Sequence, residues 1–341
     1  MNGNAPDGIP SLVAQILRAR GLADPEMSAF LTPRLTNDGP PLLDVDRAVD
    51  RLRRALAARE RIVVYGDYDV DGIAGSAILV RAFRHLGVAV MAYIPNRYEE
   101  GYGLNAAALR QLAADGTTVV VTVDCGITAV AEATLARALG IDLIITDHHH
   151  PPAVLPDAYA LVNPRRPGDA STDKELAGAG VALRLAQALL GDLAYAVRED
   201  ELLQLCALAT VADVVPLRDA NRAVVTAGLA ALNRSPIVGV RALVERAGLR
   251  LGRTNASDIG FGLGPRLNAA GRINDAEDAL RLLLTEEVAE AKALADTLEE
   301  RNLERQRLTN EVVRGARAAA AAHPPGWVTV VASADWQAGI V

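Results

Sequence analysis

The sequence predicts an α/β fold: a doubly wound, mainly parallel sheet followed by a helical C-terminal part and a long connector helix. Four short, predominantly apolar runs of strand length alternate with segments of helical length between residues 62 and 146. Past Pro167 the apolar positions recur only at helical spacing. Strands apolar on both faces, alternating with helices, belong to a parallel sheet covered on both sides.

Ser11 is placed to cap a helix over residues 12–20 that Gly21 ends, and Pro25, Pro33, Pro40 and Pro41 punctuate the chain beyond it. Residues 46–60 alternate apolar and charged positions at helical spacing and run into the first strand, 62–65. Helices over 73–86, 105–114 and 129–139 then separate strands over 88–94, 118–123 and 143–146. Helices come next over 177–190, 200–212 and 222–232. Segment 286–322 contains no Pro and only Gly315; its first half is acidic (Glu286, Glu287, Glu290, Asp296, Glu299, Glu300) and its second half is Arg-rich (Arg301, Arg305, Arg307, Arg314, Arg317). That order complements the helix macrodipole and predicts one connector helix. A further strand is expected over 327–331, with nothing after it to complete a domain. The expected organisation is a helical leader (1–45), an α/β domain (46–235), its helical extension (236–285), the connector (286–322) and the start of an incomplete domain (323–341).

The 341 residues include 50% hydrophobic and 23% charged side chains, an ordinary globular balance. Residues 1–10 carry neither a basic nor an apolar leader region, and no run of about 18 apolar residues occurs, so a cytoplasmic protein with no membrane partner is expected. Cys125 and Cys206 are too few for a disulfide framework. The net charge of −7 argues on its face against nucleic acid, although Lys174 and Lys292 are the only lysines and every other cation is an arginine, which suits bidentate phosphate contact.

Three of the predicted strands end in acids. Residues 62–65 lead into Gly66-Asp67-Tyr68-Asp69-Val70-Asp71-Gly72, residues 118–123 into Asp124-Cys125-Gly126, and residues 143–146 into Asp147-His148-His149-His150. In an open parallel sheet the carboxyl ends of the strands share one edge, where ligands bind. A lone Asp after a strand is ordinarily a turn former or helix cap. Three acid-bearing strand ends brought to one rim are costly unless a cation sits among them. Oxygen donors with one or two imidazoles suit Mn²⁺ or Mg²⁺ better than zinc, and two such ions about 3.5–4 Å apart would hold a phosphoryl group and activate a water. No G-x-G-x-x-G follows the first strand, which weighs against a dinucleotide-binding domain.

These motifs, with Val211-Ala212-Asp213-Val214-Val215-Pro216-Leu217 after them, resemble in order those of the DHH phosphoesterases. The added Glu99-Glu100-Gly101-Tyr102-Gly103 and Pro265-Arg266-Leu267-Asn268-Ala269-Ala270-Gly271-Arg272 are similar to elements of its RecJ-type branch, single-stranded-DNA-specific 5′ to 3′ exonucleases. The resemblance implies two Mn²⁺ or Mg²⁺ ions held by Asp69, Asp71, Asp124, His148 and Asp213, with Asp124 bridging. It implies that His149 lies near the scissile phosphate and that Asp67 orients water or adds a ligand. Arg97, Arg266, Asn268 and Arg272 would meet the substrate. Single-stranded DNA is the implied partner, with single-strand-binding protein and a recombination helicase as further ones. Residues 336–341 resemble the opening of a second, DHHA1 lobe. Pattern alone makes Asp213 a capping residue ahead of Pro216; only the resemblance makes it a ligand. Two rival readings are a DHH phosphodiesterase acting on short oligonucleotides, cyclic dinucleotides or pyrophosphate, and an inactive scaffold, which should have lost its metal ligands.

Overall fold

The structure is a computed structural model that describes residues 8–35, 39–191, 199–273, 276–321, 328–337 and 339–340. Five strands form one wholly parallel sheet in the order β2-β1-β3-β4-β5: β1 (Arg61–Gly66), β2 (Met91–Tyr93), β3 (Thr117–Val123), β4 (Asp142–Thr146) and β5 (Ala160–Val162). The four predicted strands are there. The second is shorter than expected, and β5 is an addition to them: three apolar residues flanked by polar and Pro-containing sequence give no periodicity to detect.

Strand residues alternate between two apolar faces. Ile62, Val64, Val119, Val121, Val123, Ile144 and Val162 pack on one side; Val63, Tyr65, Val120, Leu143, Ile145 and Leu161 pack on the other. Two-sided burial is why the strands read as unbroken apolar runs. The first face is covered by α3 (Val45–Ala58), α4 (Val70–His85) and α7 (Gly178–Leu190), with α8 (Glu199–Ala212) packed behind α4 and α7, and the second by α5 (Ala106–Ala114) and α6 (Val130–Ala138). Helix α4 is buried from Val70 to Phe83 between the sheet and α7, α8 and α13 (Glu277–Leu284), and so carries small or apolar residues on every side apart from Asp71 at the site and Arg81, which pairs with Glu201.

Two short helices precede this unit, α1 (Ser11–Ala19) and α2 (Asp24–Leu31), joined by a small core of Ala14, Leu17 and Met27. Ser11 is the first helical residue rather than the cap, which is Pro10 with no side-chain bond. Pro25 does not break the chain: it opens α2, in the first turn, where a missing N–H leaves no helical bond unmade. After α8 come α9 (Asp219–Arg234), α10 (Val238–Arg246), the single turn α11 (Ala256–Asp258), a π-helical turn (Ile259–Leu263) and α12 (Gly264–Ile273), which leads to α13. The connector is α14 (Val288–Ala321), whose 34 residues extend about 50 Å at about 1.5 Å each.

The strand expected at 327–331 is not formed among the described residues there. Val328 and Val330 are 81% and 86% exposed and pair with no strand, because a lone apolar segment needs a free sheet edge beside it. Trp327 lies outside the described residues. Among the described residues no single helix is long and apolar enough to cross a membrane.

Candidate metal centre

The parallel ladder itself sets out the acids. Asp67, Asp124 and Asp147 are each the first residue beyond a strand, and each donates its backbone N–H to the last carbonyl of the next strand: Asp67 to Val123 (3.2 Å), Asp124 to Thr146 (3.1 Å) and Asp147 to Val162 (3.1 Å). Three carboxylates therefore stand in a row along the carboxyl edge of the sheet. Asp69 caps α4, its Oδ1 accepting from the amides of Asp71 (2.8 Å) and Gly72 (3.2 Å). Asp71, in the first turn of α4, accepts from Gly178 N (2.6 Å) and Ala179 N (2.8 Å), two amides at the start of α7. Asp213 follows the last turn of α8 and approaches from the opposite wall.

His148 is buried beneath these acids. Its Nε2 lies 3.1 Å from Asp124 Oδ1, 3.7 Å from Asp71 Oδ2 and 3.7 Å from Asp213 Oδ2. His149 points into the open cavity. Its Nδ1 is hydrogen-bonded to Asp147 Oδ1 at 2.8 Å, while the other oxygen of Asp147 accepts from Ile127 N at 2.9 Å. Sequence reasoning gives Asp147 no separate role, yet it is the group that orients His149, as buried carboxylates orient functional imidazoles elsewhere.

Electrostatics divide the site in two. Burial, reinforced by the neighbouring acids, pushes Asp71 and Asp124 well above the usual carboxylate range. Burial and then Asp69 raise Asp67 to about 7 and Asp213 to about 6. Burial, and then the charge of His149, lowers His148 to about 4, leaving it a neutral donor. The Asp147 hydrogen bond raises His149 toward its charged form; Asp147 stays low because its bonds to His149 and to backbone amides together outweigh its burial.

Donor atoms gather into three groups, each within 4.8 Å: Asp124, His148 and His149; Asp71, His148 and Asp213; and Asp67, Asp69 and Asp124. The structure thus brings together Asp67, Asp69, Asp71, Asp124, His148, His149 and Asp213. Asp124 and His148 each belong to two groups, the topology of a site with more than one ion. Asp67 Oδ1, Asp124 Oδ1 and both ring nitrogens of His148 are buried with no hydrogen-bond partner. Such atoms are rare unless an ion or water satisfies them. Hard oxygen donors with a neutral imidazole fit Mn²⁺ or Mg²⁺.

The acids floor a cavity of about 340 Å³, walled by Tyr68, Tyr102, Arg97, Asn268 and Arg272. The Arg97 guanidinium sits 5.1 Å over the Tyr68 ring, and Tyr102 meets both Tyr68 and His149 edge to face at 6.3 and 6.2 Å. Asn268 Oδ1 accepts from Val70 N (3.0 Å), and Arg272 spends one arm on the Gly339 carbonyl (3.1 Å). Arg266 is not part of the cavity wall: its guanidinium donates to Glu299 and to the Gly262 carbonyl. Tyr102 as a wall is not legible in the sequence, because Gly-Tyr-Gly is common loop chemistry, and Tyr68 is hidden between the two acids Asp67 and Asp69.

Residues 61–210 match the DHH family, N-terminal domain. The chain is 41% identical over 337 residues to the single-stranded-DNA-specific exonuclease RecJ of Bacillus subtilis, covering 98% of this chain and 42% of that protein. Against RecJ of Escherichia coli it is 39% identical over 318 residues, 89% of this chain and 54% of the relative. The chain thus spans about half the length of these curated relatives. Among solved structures, exonuclease RecJ bound to manganese superposes with a TM-score of 0.80 at 39% identity, covering 88% of this chain and 76% of that one. RecJ from Thermus thermophilus in complex with Mn²⁺ gives 0.83 at 36% identity, over 97% and 47%.

Proposed function

The chain belongs to the DHH family, the group that contains the RecJ exonucleases, and we propose that it is the metal-binding part of a single-stranded-DNA-specific 5′ to 3′ exonuclease. It would hydrolyse phosphodiester bonds with Mn²⁺ or Mg²⁺ and release 5′ mononucleotides in repair and recombination. The observation that carries this reading is the sharing of Asp124 and His148 between donor groups at the floor of an arginine- and tyrosine-walled cavity. The manganese-bound relatives support the choice of metal.

Asp69, Asp71, Asp124, His148 and Asp213 are the proposed ligands. Bound there, divalent ions would supply Lewis acidity for an attacking water and for the phosphoryl oxygens. Asp67, raised to about 7, can hold or accept a proton near neutral pH and serves to orient the water. His149, shifted toward its charged form by the Asp147 hydrogen bond, faces the cavity and stabilises charge gathering on the phosphate in the transition state. Arg97, Asn268 and Arg272 hold the backbone of the strand, and the tyrosines offer ring faces to its bases and sugars. Single-strand-binding protein and a recombination helicase as partners belong to the same reading and rest on the family resemblance; a cytoplasmic location belongs to it too and rests on the sequence, in which residues 1–10 carry no leader pattern and no long apolar run occurs. The same reading includes the division into a leader (1–45), a DHH domain (46–235), its extension (236–285) and a connector (286–322), supported by the unbroken length of α14.

Asp124→Ala removes the donor common to two groups. Mn²⁺-dependent release of nucleotides from a 5′-phosphorylated single strand should then be abolished, in this chain or in a longer form that carries it. Normal rates in that variant would overturn the two-metal assignment. Faster hydrolysis of dinucleotides than of long strands would favour the phosphodiesterase alternative.

A further inference from the structure

Arg266 stands in a motif whose other polar side chains, Asn268 and Arg272, line the cavity, yet the structure turns it the other way. Its Nε donates to Glu299 of α14, its Nη1 to Gly262 O of the preceding π-helical turn at 2.8 Å, and the two side chains of the pair are only 15% and 9% exposed. A second tie lies nearby, from Arg301 of α14 to Asp278 of α13 at 2.6 Å.

On its other side α12 presses against the loop that carries the first acids. Asn268 Oδ1 accepts the Val70 amide at 3.0 Å. Gly271 is so close that a Cβ there would meet the Tyr68 carbonyl oxygen at 2.5 Å. Arg272, one residue on, reaches the cavity wall. Helix α12 is therefore a wedge between the long helix and the loop from Asp67 to Asp71, with one ion pair fixing its outer side.

We infer that the Arg266–Glu299 pair is a positioning strut: it sets the seat of α12, and through it the placing of Asn268, Arg272 and the Tyr68–Val70 backbone at the substrate wall. Neither residue touches the cavity. The inference rests on the reading of the cavity as a binding site for single-stranded nucleic acid, but its mechanical content does not. The metal-facing acids have anchors of their own: Asp69, although it lies between Tyr68 and Val70, on the Asp71 and Gly72 amides, Asp71 on the α7 amides and Asp124 on the β4 carbonyl. Loosening the strut should disturb the substrate wall and leave the ligands in place. Removing one partner of a largely buried pair leaves the other charge uncompensated, so either single change should release α12.

The test compares Glu299→Gln, Arg266→Gln and the double variant in the whole chain. Hydrogen exchange read at the Val70 amide should quicken about tenfold in each single variant, with the double no worse than Arg266→Gln, which already loses the shared ion pair and the Gly262 bond. Mn²⁺ affinity by calorimetry should stay within about twofold. KM for a single-stranded 5′-phosphorylated oligonucleotide should rise about tenfold while kcat holds, since Asn268 and Arg272 ride on α12. Unchanged Val70 exchange in Glu299→Gln overturns the strut. So does oligonucleotide affinity that falls in Arg266→Gln and is kept or improved in Glu299→Gln, which would make Arg266 a direct contact that Glu299 restrains. A parent chain that neither binds nor cleaves single strands refutes the functional reading, and the exchange measurement still decides the strut.

Discussion

At Gly178 there is no room for a side chain: a Cβ would lie 2.7 Å from that of Asp124. The missing methyl lets the first amides of α7 reach the Asp71 carboxylate while Asp124 stands directly against them. Asp124 itself adopts a left-handed backbone (φ +62°), uncommon for a residue with a side chain and typical of constrained functional positions. Gly178→Ala should force these groups apart, costing about 1–3 kcal/mol of stability as an overpacked position does. Its specific mark is weakened Mn²⁺ binding by calorimetry; full affinity with lowered stability would mean that the close approach serves packing alone. Asp147 makes the complementary case. Asp147→Asn keeps the shape and removes the charge that raises the His149 pKa and orients its ring. The expected result is a loss of about 100-fold in kcat with KM little changed, and an unaltered kcat would remove His149 from the transition state.

Among the elements, the sequence is clearest where a strand is apolar on both faces and ends in an acid. Strands β1, β3 and β4 and the helices between them are legible in runs such as Ile62-Val63-Val64-Tyr65 because the physics that buries them is local and repetitive. Strand β5 is invisible there since three residues carry no period, yet its last carbonyl is what holds the Asp147 amide. Asp213 is legible only through the family motif. Its partners come from beyond β4 and from the start of α4, and no spacing within its own helix announces them. The loop between β5 and α7 is likewise unreadable, though it ties the leader to the lobe through Asp169, whose buried carboxylate accepts from Leu43 N (2.8 Å), Ser171 N (3.0 Å) and Lys174 Nζ (2.5 Å). Burial alone would raise this carboxyl. The Leu43 amide, Lys174 and Ser171 more than reverse that and hold it below the usual range. A depressed carboxylate stabilises the fold above its unfolded pKa, and the contribution is lost as pH falls through the folded value. Urea midpoints measured from about pH 5 down to about pH 2 should therefore fall more steeply in the parent than in Asp169→Asn. Parallel curves would show that the strap contributes nothing through its charge.

For the whole molecule, 42 acids against 35 bases would by themselves argue against nucleic acid, and the structure locates part of that excess. Asp67, Asp69, Asp71, Asp124, Asp147 and Asp213 crowd one edge of the sheet, where four of them have raised pKa values because burial and like charge disfavour ionisation together. A net charge summed over the chain therefore says little about the cavity, whose upper wall presents Arg97 and Arg272. The same crowding sets a global property. Folding must gather these acids at a cost that divalent cations offset, and cations bound only by the folded chain stabilise it by mass action, about 2.7 kcal/mol at 100 times the dissociation constant. At about 2–4 °C per kcal/mol for large domains, saturating Mn²⁺ should raise the unfolding temperature by several degrees over a chelator-treated sample. In Asp124→Ala, where two donor groups lose their common member, most of that shift should vanish. Scanning calorimetry with Mn²⁺ and with chelator decides it. Equal unfolding temperatures in the parent would mean that the folded chain holds no ion, and the acid cluster would then need another account.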